Sequence, residues 1–435
     1  MLTRGDTTVD SKRTTGRDIR RKNRSALLSE LFFHGPLSRL ELSERTGLSP
    51  ATASNVTADL IDEQIIVEAG RVESDGGRPR VLLRVDPEYG HVVGVVVAET
   101  DVRVEIFDLA MTSLGALVLP MPSGRMDAEA VADLIVDGVR TAIDTAGVAD
   151  DSVLGVGVGV PGIVEQGFTA LVHAKTIGWD AVPLARMLRE RGLELPVLLE
   201  NGAKTLGQAE MWFGAGRGAR HAVIVLVGSG VGAAVVTNGT TYQGASSSAG
   251  EWGHTTIIYG GRQCRCGAKG CLEAYIGAQG VLERYRKARR GREVPGDDEV
   301  SRFQSLLDAS ARSDIAADLL DETVDLLGAG IANLINLFNP ERVILGGWTG
   351  LALGKRLLPR IREAARDNAL PHPYGQASIE LCSLGAGAVA LGAATLPVAA
   401  LLSGAAVTRK PGLRSDAGSR AASAVALAAA DIEVA

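Results

Sequence analysis

One histidine and three cysteines restrict the fold of this chain more than any other sequence feature. His254 precedes a loop in which Cys264, Cys266 and Cys271 fall within eight positions, with two glycines between the last two cysteines. One imidazole and three thiolates form a closed tetrahedral shell, which suits a structural zinc ion, and the glycines let the backbone curl around it. The pattern predicts Zn²⁺ bound by these four residues. The alternative is a group of unrelated buried thiols.

Length and composition indicate a globular protein. The chain has 435 residues, of which 46% are hydrophobic, and this predicts two or three domains. It contains four cysteines, three of them in the metal pattern, so a disulfide framework is not expected and a reducing cytoplasm fits. Residues 1–24 are polar and contain no apolar stretch of the kind found in secretory signals.

One apolar stretch is long enough to cross a bilayer. Leu381 to Thr408 contains no charged residue. Glycines and Pro397 interrupt it, however, and alanine is more frequent in it than leucine. We therefore expect a buried packing helix followed by a loose tail, and no membrane association.

The charge of the chain is uneven. The net charge is −6, yet residues 1–24 hold eight Lys and Arg against three Asp and Glu. A basic leader on an acidic body indicates an end that binds a polyanion. A solvated tail is the alternative.

Three helices with clear start signals follow the leader. Asp18 to Phe33 has an apolar face and predicts the first helix. Ser38 and Glu41 have the spacing of a capping box, which predicts the start of a second helix. Ser49-Pro50 supplies an N-cap and a proline at the first helical position, and so predicts a third helix.

The third helix has the features of a recognition helix. Its predicted buried face comprises Ala53, Val56, Leu60 and Ile61. Small or hydrogen-bonding residues occupy its N-cap and the outward face of its first turns: Ser49, Ala51, Thr52, Ser54 and Asn55. Such side chains can reach base edges in the major groove of DNA.

A hairpin follows the third helix. Ile65–Val67 and Val81–Val85 are β-rich segments, and Arg78 lies between a glycine and a proline in the connection. An extended arginine of this kind can enter a narrow A·T-rich minor groove. We predict a winged helix-turn-helix that binds double-stranded DNA, with a helical protein-interaction module as the alternative.

Several motifs resemble the ROK family, which contains bacterial sugar kinases and sugar-responsive transcriptional repressors. These motifs are Gly228-Ser229-Gly230-Val231-Gly232, the run from Ala249 to His254, and the Cys-x-Cys-Gly-x-x-Gly-Cys-x-Glu sequence ending at Glu273. The Gly-Arg-Pro segment around Arg78 is similar to the wing of ROK repressors. The resemblance covers residues 20 to 395, and it identifies the chain as a member of the winged helix-turn-helix branch of the family.

The resemblance implies an α/β fold in which an N-terminal winged helix-turn-helix precedes a two-lobed actin/hexokinase-like domain. We expect a leader at residues 1–17, a DNA-binding domain at 18–86, a sensor domain with the zinc site at 87–400 and a disordered tail at 401–435. Alternating strands and helices after residue 86 are compatible with this fold, although periodicity alone does not predict its internal duplication.

The resemblance also implies a sugar site. Family positions that bind sugar hydroxyls correspond to Asn201, Glu251, His254 and Glu273, whose polar groups can accept from or bridge hydroxyls. A turn role for Asn201 and a helix-capping role for Glu273 are the alternatives. Thr176 stands where many relatives have asparagine.

The residues for phosphoryl transfer depart from the kinase pattern. In the kinases an aspartate follows the sugar-binding asparagine and acts as the base, whereas here Gly202 follows Asn201. The first phosphate loop of the kinases contains two glycines, whereas here Ala98-Glu99 occupies that place.

We therefore predict a cytoplasmic repressor without enzymatic activity, in which a sugar or sugar-derived effector controls operator binding by a homodimer or homotetramer. A DNA-binding sugar kinase and a zinc-responsive switch are the alternatives.

Overall fold

The computed structural model describes residues 15–74, 77–121, 127–167 and 169–404, without the side chains of residues 74 to 78. The described chain divides into two compact units. The first extends to Asp86 and takes in a short segment from Leu402, and the second runs from Pro87 to Leu401.

The first unit contains three helices and one antiparallel sheet with the strand order β1-β3-β2. Its elements are α1 (Gly16–His34), β1 (Leu37–Ser38), α2 (Arg39–Thr46), α3 (Pro50–Asp62), β2 (Ile66–Ser74) and β3 (Gly77–Val85). Strands β2 and β3 form the hairpin expected after the third helix, and β1 extends the sheet on the side of β3.

Local capping sets the helix starts in the first unit. Ser38 and Glu41 form the predicted capping box, in which the Ser38 amide donates to Glu41 Oε2 at 2.7 Å. The Ser38 hydroxyl and amide hold the pKa of Glu41 below its usual value. The Ser49 hydroxyl accepts from the Thr52 amide at 3.1 Å, so the predicted N-cap of α3 is also confirmed.

Two five-stranded sheets dominate the second unit. The elements of the first half are β4 (His91–Val97), β5 (Asp101–Asp108), β6 (Ser113–Pro120), α4 (Ala128–Ala146), β7 (Val153–Val160), β8 (Ile163–Glu165), β9 (Leu171–Ala174), β10 (Trp179–Val182), α5 (Leu184–Glu190), β11 (Val197–Asn201) and α6 (Gly202–Phe213). Those of the second half are β12 (Ala222–Val227), β13 (Val231–Thr237), β14 (Thr240–Thr241), α7 (Glu273–Ile276), α8 (Ala278–Ala288), α9 (Glu299–Ala309), α10 (Asp314–Phe338), β15 (Arg342–Gly346), α11 (Trp348–Asn368), α12 (Pro371–Gln376), β16 (Ser378–Leu381) and α13 (Ala388–Leu402).

The two large sheets have the same topology. The first has the order β11-β7-β4-β5-β6 and the second the order β14-β13-β12-β15-β16. In each, the first three strands in chain order form an antiparallel meander, and the last two add in parallel beside the first strand. This repetition is the duplication that the family resemblance implies. A third sheet, β8-β9-β10, is small and antiparallel.

Helix α13 packs closely against β4 and β7 of the first large sheet and against α6. A Cβ atom at Gly94 of β4 or Gly157 of β7 would overlap the α13 backbone, and one at Gly392 of α13 would overlap the α6 backbone. An 18-residue window from Gly385 to Leu402 is apolar enough to cross a membrane, but 72% of it is buried inside the protein. The apolar stretch is therefore accounted for as a core helix, as we expected.

Some predicted boundaries and burial assignments need correction. The segment expected to be a leader ends earlier, because Thr15 caps α1 and the helix begins at Gly16. The sensor boundary at residue 400 cuts α13, which continues through the buried Leu401 and Leu402. Most of the leader and tail lie outside the described residues. In α3, Val56 and Ile61 are half-buried, and Thr57 is buried instead, because its hydroxyl donates to the Ala53 carbonyl at 2.8 Å.

Candidate metal and effector site

The structure brings the four predicted metal ligands together. His254 ends a short 3₁₀ turn, and the three cysteines lie on the loop before α7, here called the metal loop (residues 255–272). Their ligand atoms all lie within 4.8 Å of one another. Gly267 and Gly270 have φ angles of 98° and 82°, so the loop adopts a backbone conformation that residues with side chains rarely reach.

The spacing of the ligand atoms fits one tetrahedral ion. The Sγ atoms of Cys266 and Cys271 are 3.7 Å apart, as are Cys264 Sγ and His254 Nδ1. Ligands at about 2.3 Å from a tetrahedral metal would be separated by about 3.8 Å. Burial raises the pKa of the Cys264 thiol to about 12, whereas a bound cation acts in the opposite direction because it stabilises the thiolate. The cluster can therefore hold a metal ion.

The two ring nitrogens of His254 face different groups. Nδ1 faces the cysteine cluster, and Nε2 lies 4.0 Å from Glu251 Oε2. A metal on Nδ1 would leave the proton on Nε2 and so fix the tautomer. The half-buried Glu251 carboxyl has a pKa raised by burial. His254 therefore connects the metal cluster to one of the residues expected to bind a sugar.

Asn201 already makes several contacts within the protein. Its Oδ1 accepts from the amides of Ala203 and Lys204, at 2.8 and 3.2 Å, and so caps α6. Its Nδ2 donates to the Gly162 carbonyl at 2.6 Å. These bonds fit the turn role and leave the second Nδ2 hydrogen to donate to a ligand.

Glu273 is buried against the glycine-rich loop. Its Oε2 accepts from the Val231 amide at 3.0 Å, and its Oε1 lies 3.5 Å from Arg265 Nη2. The side chain is 6% exposed, so these protein groups surround most of the carboxylate. Thr176 is half-buried in the turn between β9 and β10, and its place next to the other expected sugar residues stays a prediction.

Sequence reasoning missed a buried polar network beside Asn201. Lys204 Nζ donates to Gln243 Oε1 and to the Ser247 carbonyl, each at 2.6 Å, and lies 3.9 Å from Glu200 Oε1. Burial raises the pKa of Glu200 and lowers that of Lys204, and their ion pair opposes both shifts. The network joins the start of α6 to the loop that precedes Glu251. The position of Lys204, three residues after Asn201, was the only available sequence signal.

Three positions correspond to residues that the kinases use for phosphoryl transfer. Gly202 is the first residue of α6, and the glycine-rich run Gly228–Gly232 forms the turn after β12 and the first two residues of β13. Glu99 lies in the turn between β4 and β5 (residues 98–100), and Arg265 Nη1 donates to its Oε2 at 2.7 Å. This turn therefore presents a paired carboxylate where the kinases have glycines.

The fourth cysteine is separate from the metal cluster. Cys382 is buried after β16, and its thiol donates to Glu210 Oε1 at 2.7 Å. Burial and the neighbouring carboxylate raise its pKa to about 12. Cys382 is therefore a core residue rather than a reactive thiol.

The candidate recognition face lies on α3 in the first unit. Ser49, Ala51, Ser54 and Asn55 are exposed, and Thr52 is half-buried. The Ser49 hydroxyl caps the helix and lies 2.9 Å from Thr52 Oγ1. The side chain of Arg78 lies outside the described residues. The remaining side chains, which are small or polar, form an exposed surface at the start of the helix.

The second unit contains two copies of a five-stranded sheet, and its His-Cys₃ cluster lies beside a glycine-rich loop. These features are those of a sugar-kinase-like domain. The ROK family model matches residues 92–399. This chain belongs to the ROK family, as its motifs predicted.

Relatives of two kinds are similar to the chain. The xylose repressor of Caldicellulosiruptor bescii is 29% identical over 395 residues, which cover 88% of this chain and 97% of that protein. The glucokinase of Halalkalibacterium halodurans is 32% identical over 312 residues, which cover 69% and 92% respectively. The crystal structure of a ROK family transcriptional regulator, a homologue of E. coli MLC protein, matches with a TM-score of 0.72 at 23% identity, covering 94% of this chain and 99% of that one. This last match confirms the predicted α/β fold with a ROK domain.

Proposed function

We propose that the protein is a sugar-responsive transcriptional regulator that represses genes of carbohydrate uptake or catabolism. The observation that carries this proposal is that one chain contains both a ROK domain and an N-terminal unit of three helices and a β-hairpin. The match to the xylose repressor spans 395 residues and is too long to be confined to the ROK region, whereas the match to the glucokinase spans 312.

The N-terminal unit would bind the operator. The start of α3 offers Ser49, Ala51, Thr52, Ser54 and Asn55 to base edges in the major groove. The β2–β3 hairpin would place Arg78 in the adjacent minor groove. Two such units in a homodimer or homotetramer would read an inverted repeat. A regulator of this kind works in the cytoplasm.

The ROK domain would sense the effector. Asn201, Glu251, His254 and Glu273 are the proposed sugar contacts, with Thr176 at the edge of the site, and Zn²⁺ held by His254 and the three cysteines would orient them. A bound sugar would favour one arrangement of the two sheets. If the paired N-terminal units in that arrangement do not match the two halves of the operator, the sugar would weaken operator binding. A coupling of about 1–3 kcal/mol is ordinary for such linkage.

A DNA-binding sugar kinase is the second candidate, because a glucokinase is among the relatives. Two features argue against it. Gly202 provides no base at the position that follows Asn201, and the paired Glu99 carboxylate replaces a glycine-rich phosphate loop. We therefore favour a regulator without phosphoryl transfer.

Fluorescence anisotropy with the promoter DNA upstream of the gene tests the proposed function. Purified protein should bind with an affinity that falls steeply as salt rises, since phosphate contacts release counterions. One member of a sugar panel that includes xylose, N-acetylglucosamine and glucose should change this affinity by about fivefold or more. Failure to bind any DNA more tightly than a shuffled sequence of the same composition would contradict the proposal.

The wing provides a sharper prediction. Arg78→Ala should weaken binding to a site with an A·T tract at the wing contact by about 1–2 kcal/mol, since a narrow minor groove concentrates the negative potential that attracts the guanidinium. Arg186→Ala, which removes an exposed arginine from the second unit, is the matched control and should leave affinity unchanged. An equal loss on a site with G·C pairs at that position would exclude minor-groove recognition by Arg78.

A further inference from the structure

Arg265 lies between two candidate metal ligands in sequence and contacts both halves of the second unit. Its Nη1 donates to Glu99 Oε2 at 2.7 Å, across 166 positions of the chain. Its Nη2 donates to the Ser229 carbonyl at 3.3 Å and lies 3.5 Å from Glu273 Oε1. A single guanidinium therefore joins the β4–β5 turn, the glycine-rich loop and the start of α7.

These partners belong to different sheets. Glu99 lies on the turn between two strands of the first large sheet, whereas Ser229 lies between β12 and β13 of the second. The side chains of Arg265 and Glu99 are only 25% and 24% exposed. Partial burial reduces solvent screening, so the Coulomb attraction between these two charges is stronger than in a fully exposed ion pair.

The carboxylates around the Arg265 guanidinium would repel one another without its positive charge. The Ser229 hydroxyl donates to the Glu299 carboxylate, and the Val231 amide donates to Glu273. Three carboxylates, from Glu99, Glu273 and Glu299, thus surround the glycine-rich loop, and among the described contacts Arg265 is the cation that pairs with two of them. Loss of Arg265 would leave like charges facing one another across the two halves.

We propose that Arg265 is a positioning residue that latches the β4–β5 turn to the metal loop, so that the arrangement of the two sheets depends on an intact metal site. Cys264 and Cys266, two of the candidate metal ligands, flank Arg265 in the chain, so a bound ion would fix the backbone on both sides of it. An ordered metal loop therefore presents the guanidinium to Glu99, and a disordered one does not. The latch itself rests on geometry alone, and its part in effector response rests on the proposed function.

Hydrogen–deuterium exchange on the full-length protein tests the latch directly. Glu99→Gln keeps the size of the side chain but removes its charge. This substitution should accelerate amide exchange at residues 97–101 and 228–232 by about fivefold. That is the change expected when an interaction free energy of ordinary size between the Glu99 and Arg265 side chains is lost. Arg265→Gln should do the same, and the double variant should exchange no faster than Arg265→Gln alone.

Arg103→Gln is the matched control. It removes an arginine–carboxylate pair with Asp101 that stays within β5, so exchange at residues 228–232 should match the wild type. Zinc content, measured for every variant, verifies that the metal loop is intact. Unchanged exchange at residues 228–232 in zinc-loaded Glu99→Gln would overturn the latch.

Operator binding separates the latch from the proposed function. In Glu99→Gln, the change in operator affinity that the effector produces should differ by about threefold or more from that in the wild type, because the mutation shifts the balance between the two arrangements. A wild-type response in a variant with accelerated exchange would overturn the regulatory part of the proposal. Absence of operator binding by the wild type, with accelerated exchange in the variant, would refute the proposed function and leave the latch standing.

Discussion

Cys266→Ser is expected to remove the metal ion and the response to effector together. The purified wild-type protein should contain about one zinc per chain, and the variant close to none, since serine is a poor zinc ligand and three ligands leave the shell open. The free energy of unfolding should fall by about 4 kcal/mol, as large losses accompany loss of a structural metal. Elemental analysis, urea unfolding and operator binding with effector would measure these three changes.

Cys382→Ser is the control for this experiment. It changes a buried cysteine outside the cluster, so the protein should retain its zinc even if the lost contact with Glu210 lowers stability. Metal-free wild-type protein, or a zinc-free Cys266→Ser with a normal effector response, would contradict the proposed role of the site. The link through His254 to Glu251 is the reason for expecting loss of metal to reach the effector.

The wild-type protein is expected to show no sugar-dependent ATP turnover, and Gly202→Asp is expected to stay inactive. General-base catalysis contributes about 10²–10⁴-fold, whereas phosphoryl transfer depends mainly on positioning and charge stabilisation. An aspartate at residue 202 would restore a proton acceptor, but Glu99, paired with Arg265, would still occupy the turn where the kinases have a glycine-rich loop. A coupled assay of ADP release with hexoses, pentoses and amino sugars measures the outcome.

Calorimetry with the same sugars provides the control, because sugar binding should persist in Gly202→Asp through Asn201 and Glu251. Clear turnover by the unmodified protein would favour the DNA-binding kinase over the regulator. Turnover by Gly202→Asp alone would show that the β4–β5 turn is not a barrier to phosphoryl transfer.

The features that the sequence predicted well are those that depend on neighbours in the chain. The Ser38–Glu41 capping box and the Ser49 cap of α3 join residues three positions apart, and both formed as predicted. The candidate metal ligands are likewise local, since His254 and Cys271 are seventeen positions apart. Their spacing was therefore sufficient to predict that they meet.

Non-local contacts could not be predicted in the same way. The identical strand order of the two large sheets depends on pairing between distant strands, and only the family resemblance indicated it. No neighbouring residue in the sequence indicated that Glu99 is paired, since its partner Arg265 lies 166 positions away. The burial of Thr57 was not predicted, because it depends on a hydrogen bond from its hydroxyl to the backbone of its own helix, which makes burial of a polar residue favourable.

The close packing of α13 at glycine positions predicts where substitutions would disrupt the protein. At Gly94, Gly157 and Gly392, backbone meets backbone with no space for a methyl group. The nearest described atoms at these positions belong to Thr205, Ala390, Ala393, Ala394 and Pro397, none of which is a proposed metal ligand or DNA contact. Even alanine would be a damaging allele at each of them, and a screen for strains that lose repression should recover such alleles beside those at the proposed operator and effector contacts.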